Sequence, residues 1–179
     1  MEKLSFENLL LKTAFCCMAC DGDIDQKEVE YIKALSNGTK VFGEGNVTER
    51  MNSLREEINN DGHQFLRSFF IELNGASLSE EEEMKVVEVA IDTIKADNEI
   101  EYSEVKFFKI IRSKLNISND KILADHPDFE EYLEQDIIST SYLLKLQDSY
   151  FNSQALPKFE PIQAIDEKTL KDLENNKGE

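Results

Sequence analysis

The sequence contains no tryptophan, few cysteines, few basic residues and no long apolar run. No apolar stretch approaches the roughly 20 residues that a transmembrane helix needs, so we expect no membrane insertion. Acidic residues interrupt the N-terminus, which has no basic segment, so we expect no signal peptide. There are 20 Lys and Arg against 37 Asp and Glu, a net charge of −17. Nucleic acid and anionic lipid are therefore not expected partners, since both require clustered basic side chains.

The three cysteines, Cys16, Cys17 and Cys20, lie within a single stretch of five residues. An odd, local set does not form a disulfide framework, and this favours a reducing cytoplasm. Zinc would need two more soft ligands. The only histidines, His63 and His126, lie far away in the sequence. We interpret the three thiols as small buried hydrophobic groups.

Signatures of catalysis are absent as well. The sequence has no Gly-x-Ser-x-Gly motif and no glycine-rich phosphate loop, which are the patterns typical of one class of nucleophilic enzymes and of nucleotide-binding proteins. Paired carboxylates could perform acid–base chemistry, but nothing in the sequence indicates a substrate cleft. We therefore predict that the protein is not an enzyme.

Apolar residues recur with the period of an α-helix along most of the chain. No segment shows the sustained alternation of a strand, so we predict an all-α bundle of about seven to nine helices and no sheet. Residues 1–152 are expected to form one domain, and residues 153–179 a tail that docks weakly or binds a partner. Helices are predicted at about residues 5–20, 26–38, 48–58, 63–75, 79–97, 103–115, 138–151 and, in the tail, 166–174. The first is expected to carry one apolar stripe. Thr48 is the predicted cap of the third helix, Ser79 with Glu82 forms a predicted capping box for the fifth, and the acidic residues 80–83 suit the positive start of that helix.

One acidic motif occurs twice, 76 positions apart, in residues 20–28 and 96–104. Each copy places acidic side chains at relative positions 1, 3, 5 and 8 around one isoleucine, Ile24 or Ile100. Each half of the repeat therefore predicts a helix, an acidic turn and a second helix. If a pseudo-two-fold axis relates the two hairpins, both turns lie at one end of the bundle. The candidate ligands there are Asp21, Asp23, Asp25, Glu28, Asp97, Glu99, Glu101 and Glu104.

Two interpretations of these acidic turns stay open. Hard divalent cations such as Ca²⁺ or Mg²⁺ are bound by several carboxylate and carbonyl oxygens. An ordinary EF-hand is excluded, because the sixth position is not glycine and the twelfth holds Ile32 or Phe108 instead of glutamate. The other interpretation is structural: Gly22 ends one helix in the left-handed conformation, and Asp25 with Glu28 forms a capping box for the next.

The repeat resembles the signature of the tellurite-resistance TerB-like family, which includes the related DjlA N-terminal-like helical domain. The resemblance rests on residues 14–25 with Glu28 and Ile32, and on residues 90–100 with Glu104. It covers about residues 4–123. It implies an all-helical bundle built around two hairpins, divalent cations at the acidic turns, and a cytoplasmic role in tellurite and stress resistance. Asn98 in place of the second glycine, and Glu101 in place of a small cap, depart from the family pattern.

The C-terminal tail favours a second function. It carries regularly spaced apolar residues in an otherwise polar stretch, and the chain as a whole is strongly acidic. These features predict a protein-interaction module with an unidentified protein partner and with no ion. The spaced apolar residues are Phe159, Ile162, Ile165, Leu170 and Leu173.

Overall fold

The structure is a computed structural model that describes residues 5–20, 22–97, 102–133 and 158–162. Within these ranges every regular element is helical, which confirms the predicted all-α fold with about seven to nine helices. None of the described helices is both long and apolar enough to cross a bilayer. The elements are α1 Phe6–Met18, α2 Gln26–Thr39, α3 Val47–Asn60, α4 Gly62–Gly75, α5 Glu80–Ile94, α6 Tyr102–Arg112, α7 Asn119–Asp125, a 3₁₀ turn Pro127–Phe129 and α8 Glu130–Leu133.

Helix α1 lies at the centre of the bundle. All residues from Leu9 to Met18 are buried, so the helix is enclosed on every face. Its most extensive contact is with α5, and it also packs against α3, α4 and α6. The sequence predicted a single apolar stripe on this helix. The structure buries the polar positions as well, as expected for a helix surrounded by others.

Burial of α1 requires partners for its polar side chains. Lys12 is 7% exposed, and its Nζ donates to both carboxylate oxygens of Glu72 on α4, at 2.8 and 3.1 Å. The ammonium also lies 5.0 Å from the centre of the Phe65 ring. The Thr13 hydroxyl donates to the Leu9 carbonyl at 2.9 Å. These contacts are necessary because a buried charge or hydroxyl without a partner is strongly destabilising.

The two acidic hairpins have equivalent helix bounds. Helix α1 ends at Met18 and α5 at Ile94, whereas α2 begins at Gln26 and α6 at Tyr102. Both pairs of residues are separated by the 76 positions of the sequence repeat. The duplication is therefore a duplication of structure, α1–turn–α2 and α5–turn–α6.

Most of the predicted caps agree with the structure. Capping boxes start α2 at Asp25 and α5 at Ser79. The predicted cap of α3, Thr48, is wrong: Asn46 starts this helix, because its Oδ1 accepts from the backbone N–H groups of Thr48 and Glu49.

Several helix ends differ from the prediction. Helices α1 and α5 end two and three residues earlier than predicted, at Met18 and Ile94, and α3 ends two residues later, at Asn60. Helix α2 continues past Gly38 to Thr39 and is capped by Lys40, which has a left-handed φ of 51°. The turn predicted between α3 and α4 is one residue, Asp61, whose side chain caps α4 by accepting from Gln64 N at 3.0 Å. Helix α6 stops at Arg112. The helices predicted at residues 138–151 and 166–174, and the domain boundary at 152, lie outside the described residues.

A buried carboxylate joins the start of α5 to the segment after α6. Glu83 is 5% exposed. Its Oε2 accepts from the backbone N–H groups of Asn116 and Ile117 at 2.8 and 2.6 Å, and its Oε1 accepts from the Asn116 side chain at 3.0 Å. The sequence indicated for Glu83 only a favourable charge at a helix start. The structure makes it the anchor that holds the α6–α7 connection against α5.

We expect the substitution Glu83→Gln to lower the free energy of unfolding by about 1.5–3 kcal/mol, because it replaces charged acceptors of buried backbone N–H groups. Urea denaturation followed by circular dichroism measures the change. Glu81→Gln is the matched control: it removes a charge from the same first turn, but Glu81 is exposed. Its effect should stay within about 0.5 kcal/mol. Equal losses in the two variants would contradict the assigned role of Glu83.

Candidate functional site

The first acidic turn is held by hydrogen bonds to its own backbone. Gly22 has a φ of 98°, which favours glycine, and its N–H donates to the Ala19 carbonyl at 3.3 Å. The predicted left-handed position after α1 is thus confirmed. Asp23 Oδ1 accepts from Ile24 N at 2.9 Å. Asp21 lies outside the described residues.

The capping box engages the next two acidic side chains of this turn. Asp25 Oδ1 accepts from Lys27 N at 2.7 Å, and Glu28 Oε2 accepts from Asp25 N at 3.2 Å. Glu28 is only 5% exposed. The predicted cap is confirmed, and these two carboxylates face the helix start. Their hydrogen bonds are structural, with a typical value of about 1 kcal/mol for a cap.

The second acidic turn lies next to the first. Lys27 Nζ donates to the Asp97 carbonyl at 3.4 Å, which brings the ammonium group of α2 to the end of the α5 hairpin. Glu104, the counterpart of Glu28, is 6% exposed. Glu99 and Glu101 lie outside the described residues. The prediction that the two turns share one end of the bundle agrees with this contact.

Glu28 and Glu104 lie close to the same buried thiol. The pKa of Cys17 is raised well above its ordinary value, first by burial and then by electrostatic interaction with Cys16, Glu28 and Glu104. The corresponding glutamates of the two repeats, both buried, therefore act electrostatically on one thiol of α1.

The described residues do not form a metal cluster on their own. No group of three or more His, Cys, Asp or Glu side chains with the spacing of a metal site occurs among them. Of the eight candidate ligands, the structure describes Asp23, Asp25, Glu28, Asp97 and Glu104. The oxygen chemistry of the set fits Ca²⁺ or Mg²⁺. The Lys27 ammonium between the turns, however, already neutralises part of the negative charge there.

The cysteines are buried as predicted. Cys16, Cys17 and Cys20 are not joined by a disulfide, and each is at most 4% exposed. Burial raises the pKa of Cys16, and the nearby Lys12 ammonium opposes this only in part. Both Cys16 and Cys17 are therefore thiols at neutral pH, and the thiolate is the reactive form.

A second site lies on α3, and it involves the C-terminal tail. Asn59 Oδ1 accepts from Phe159 N and its Nδ2 donates to Phe159 O, both at 2.9 Å. Asn52 forms the same pair of bonds with Ile162 N and O, both at 3.0 Å. Phe159 and Ile162 are 7% and 9% exposed. Two asparagines on one helix thus hold the backbone of residues 158–162, which we call the docked segment.

Sequence reasoning found only half of this site. Phe159 and Ile162 stood out as spaced apolar residues of the tail. Asn52 and Asn59 did not, because the predicted third helix ended at residue 58, which assigned Asn59 to the turn after it, and an asparagine on a helix is usually solvated. Their only signal is the spacing of seven residues, which places both side chains on one face of α3 two turns apart.

The docked segment and the first acidic turn enclose a cleft of about 380 Å³. One side is formed by Gly22, Asp23 and Ile24, with Gln26 and Val29 of α2. The other side is residues 158–162. The two candidate sites are therefore neighbours in space.

Comparisons with known proteins add no assignment. No protein-family model, no curated protein and no solved structure matches this chain.

We expect Cys16 and Cys17 to resist a thiol reagent in the native chain at mildly alkaline pH, because burial keeps them protonated and covered. Mass spectrometry after brief labelling measures the modification of each cysteine, and unfolding in guanidinium should expose all of them. Ser53→Cys provides the control, since Ser53 is exposed on α3 and its thiol should react at the rate of a free cysteine. Rapid labelling of Cys17 in the folded chain would contradict this.

Proposed function

We propose that this chain is a non-enzymatic protein-interaction module in which the acidic turns act as helix caps. The observation that carries the proposal is the docked segment. A helix surface holds an extended stretch of polypeptide by the N–H and C=O groups of its backbone, and it buries two apolar side chains. Backbone pairing with pockets for spaced side chains is a recurrent mode of peptide recognition.

The state of the turn carboxylates supports this proposal. Asp23, Asp25 and Glu28 each accept a backbone N–H, and Glu28 is buried. A carboxylate engaged with the start of a helix has less capacity to coordinate an ion. The remaining acidic surface, with a net charge of −17 for the whole chain, favours basic over acidic protein partners.

The absence of catalysis is part of the proposal. The Cys16 and Cys17 thiols are buried, and their raised pKa values disfavour the nucleophilic thiolate. Glu28 and Glu104 are only 5% and 6% exposed, so a substrate could reach them only by displacing the packing around them. We therefore assign these groups to the core.

A second candidate function is divalent-cation binding by a TerB-like cytoplasmic protein of tellurite or stress resistance. The proximity of the two turns favours it, through the Lys27–Asp97 contact. The acidic side chains of both turns would supply the oxygen ligands for Ca²⁺ or Mg²⁺, namely Asp21, Asp23, Asp25, Glu28, Asp97, Glu99, Glu101 and Glu104.

Titration with Ca²⁺ or Mg²⁺ separates the two candidates. If the turns act only as caps, calorimetry should show no saturable heat of binding at about 1 mM ion. The melting temperature should then be the same with the ion as with EDTA. A site with a Kd of ~0.1 mM would instead stabilise the fold by about 1.4 kcal/mol at that concentration. The matched variant is Asp21→Asn with Asp97→Asn. Saturable binding that this variant loses would establish the cation function and overturn the caps-only interpretation.

The interaction function predicts a stoichiometric protein partner. Full-length chain, used as bait in lysate of its source organism, should capture that partner equally well with EDTA, with added Ca²⁺, and as the Asp21→Asn and Asp97→Asn variant. The expected result is a defined complex that survives gel filtration and can be rebuilt from the two purified proteins. A partner whose binding requires the ion and both aspartates would contradict the ion-independent module.

A further inference from the structure

We infer that the face of α3 carrying Asn52 and Asn59 is a recognition site for an extended partner peptide with two apolar residues three positions apart. The docked segment is the tethered occupant that this peptide displaces. The inference rests on the proposed interaction function, to which it adds the site and the chemistry of the partner.

The spacing of the two asparagines matches an extended chain. Asn52 and Asn59 are seven residues apart, which is about 10.5 Å along a helix that rises about 1.5 Å per residue. Phe159 and Ile162 are three residues apart, and an extended chain covers about 10 Å in three residues. Only a nearly fully extended ligand can therefore pair with both asparagines, and it runs antiparallel to α3 because Phe159 pairs with Asn59.

The asparagine side chains recognise backbone and not sequence. An asparagine carries one carbonyl acceptor and an NH₂ donor, so it can satisfy both the N–H and the C=O of one residue, as a neighbouring strand would. Every residue except proline offers these two groups. Specificity comes instead from the burial of Phe159 and Ile162, which are 7% and 9% exposed while Lys158, Glu160 and Pro161 between and beside them are exposed.

Proline between the two recognised residues fits this arrangement. Pro161 lacks an N–H, and no N–H is required at that position, because the asparagines bind residues 159 and 162. Its fixed φ also limits the number of conformations the free segment can adopt, which reduces the entropy lost on binding. The partner motif is therefore a large apolar residue, two variable positions of which the second favours proline, and an aliphatic residue.

The docked segment leaves one donor of this face unused. Arg55 lies between the asparagines on α3, and its Nη1 donates weakly to Phe159 O at 3.5 Å. Its Nε is buried and has no hydrogen-bond partner among the described residues. A buried donor without an acceptor is unfavourable, so the chain's own segment is an incomplete ligand. A partner peptide with a further carbonyl or carboxylate at this point would bind better and displace it.

A labelled peptide of residues 156–164, measured by fluorescence anisotropy, tests the site on the full chain. The double variant Phe159→Ala with Ile162→Ala, which we call the freed variant, loses the two buried side chains that hold its own tail on α3. This variant should bind the peptide. The wild-type chain should bind it about tenfold more weakly, because a tethered segment competes at an effective concentration near ~1 mM against a peptide Kd of ~0.1 mM. A peptide with the same two residues changed to alanine should not bind.

Substitutions on α3 identify the residues responsible. In the freed variant, Asn52→Ala with Asn59→Ala should abolish peptide binding. Asn60→Ala is the matched control, since it removes the same side chain from an exposed position next to Asn59, and it should leave binding unchanged. A peptide N-methylated at the phenylalanine should also lose affinity, because it retains the ring but lacks the N–H that Asn59 accepts.

Amide hydrogen exchange tests the same pairing with the wild-type tail in place. The Phe159 and Ile162 amides should be protected in the wild-type chain, and excess peptide or the double asparagine variant should remove this protection. No binding to the freed variant together with unchanged protection would overturn the inference. A wild-type dimer in light scattering that becomes monomeric in the freed variant would also overturn it, because a second copy would then be the occupant.

The proposed interaction function and the proposed peptide site on α3 can be disproved independently of each other. A protein partner captured by the full chain, with no peptide binding to the freed variant, would leave the interaction function standing and remove α3 as its site. Peptide binding without any captured partner would support α3 as a recognition site and contradict the proposed partner in the tested cells.

Discussion

Enclosure of α1 on every side is the constraint on which the rest of this structure depends. A helix without a solvent-facing side needs packing partners on every face. For α1 these partners are α3, α4, α5 and α6. Its one charged buried residue, Lys12, must be paired, and Glu72 on α4 is positioned to do so. Because α1 and α5 are equivalent members of the repeat and form the most extensive contact, packing them together also brings their C-terminal turns to one end of the bundle.

The acidic turns illustrate how one set of residues can have two physical explanations. The spacing of Asp25 and Glu28 that suits a cation also suits a capping box, and the described hydrogen bonds are those of the box. Glu28 and Glu104 are buried near Cys17, where their charges raise the pKa of a thiol that burial already keeps neutral. The repeat therefore serves first to start two helices at equivalent positions. Any ion would have to bind on the solvent side of these caps.

Prediction from the sequence succeeded where the interactions are local. The Asp25 and Ser79 capping boxes, the left-handed Gly22 and the helical periods all join residues within one or two turns, and all agree with the structure. It failed at the start of α3, because Asn46 and Thr48, two positions apart, could both cap the helix and local preference does not choose between them. It also missed Glu83, since only the folded chain shows that the backbone of Asn116 lies within reach.

The sequence by itself determined the all-α class, the duplicated hairpin and the capping boxes of α2 and α5, because helix propensity, apolar period and caps act over three or four residues. Only the tertiary structure decided where the tail lies. Asn52 and Ile162 are separated by 110 positions, and Asn59 and Phe159 by 100. A side-chain amide on a helix surface can pair with any backbone that lies within reach. The partners of Asn52 and Asn59 are therefore specified only when the packing around α1 places α3 beside the docked segment.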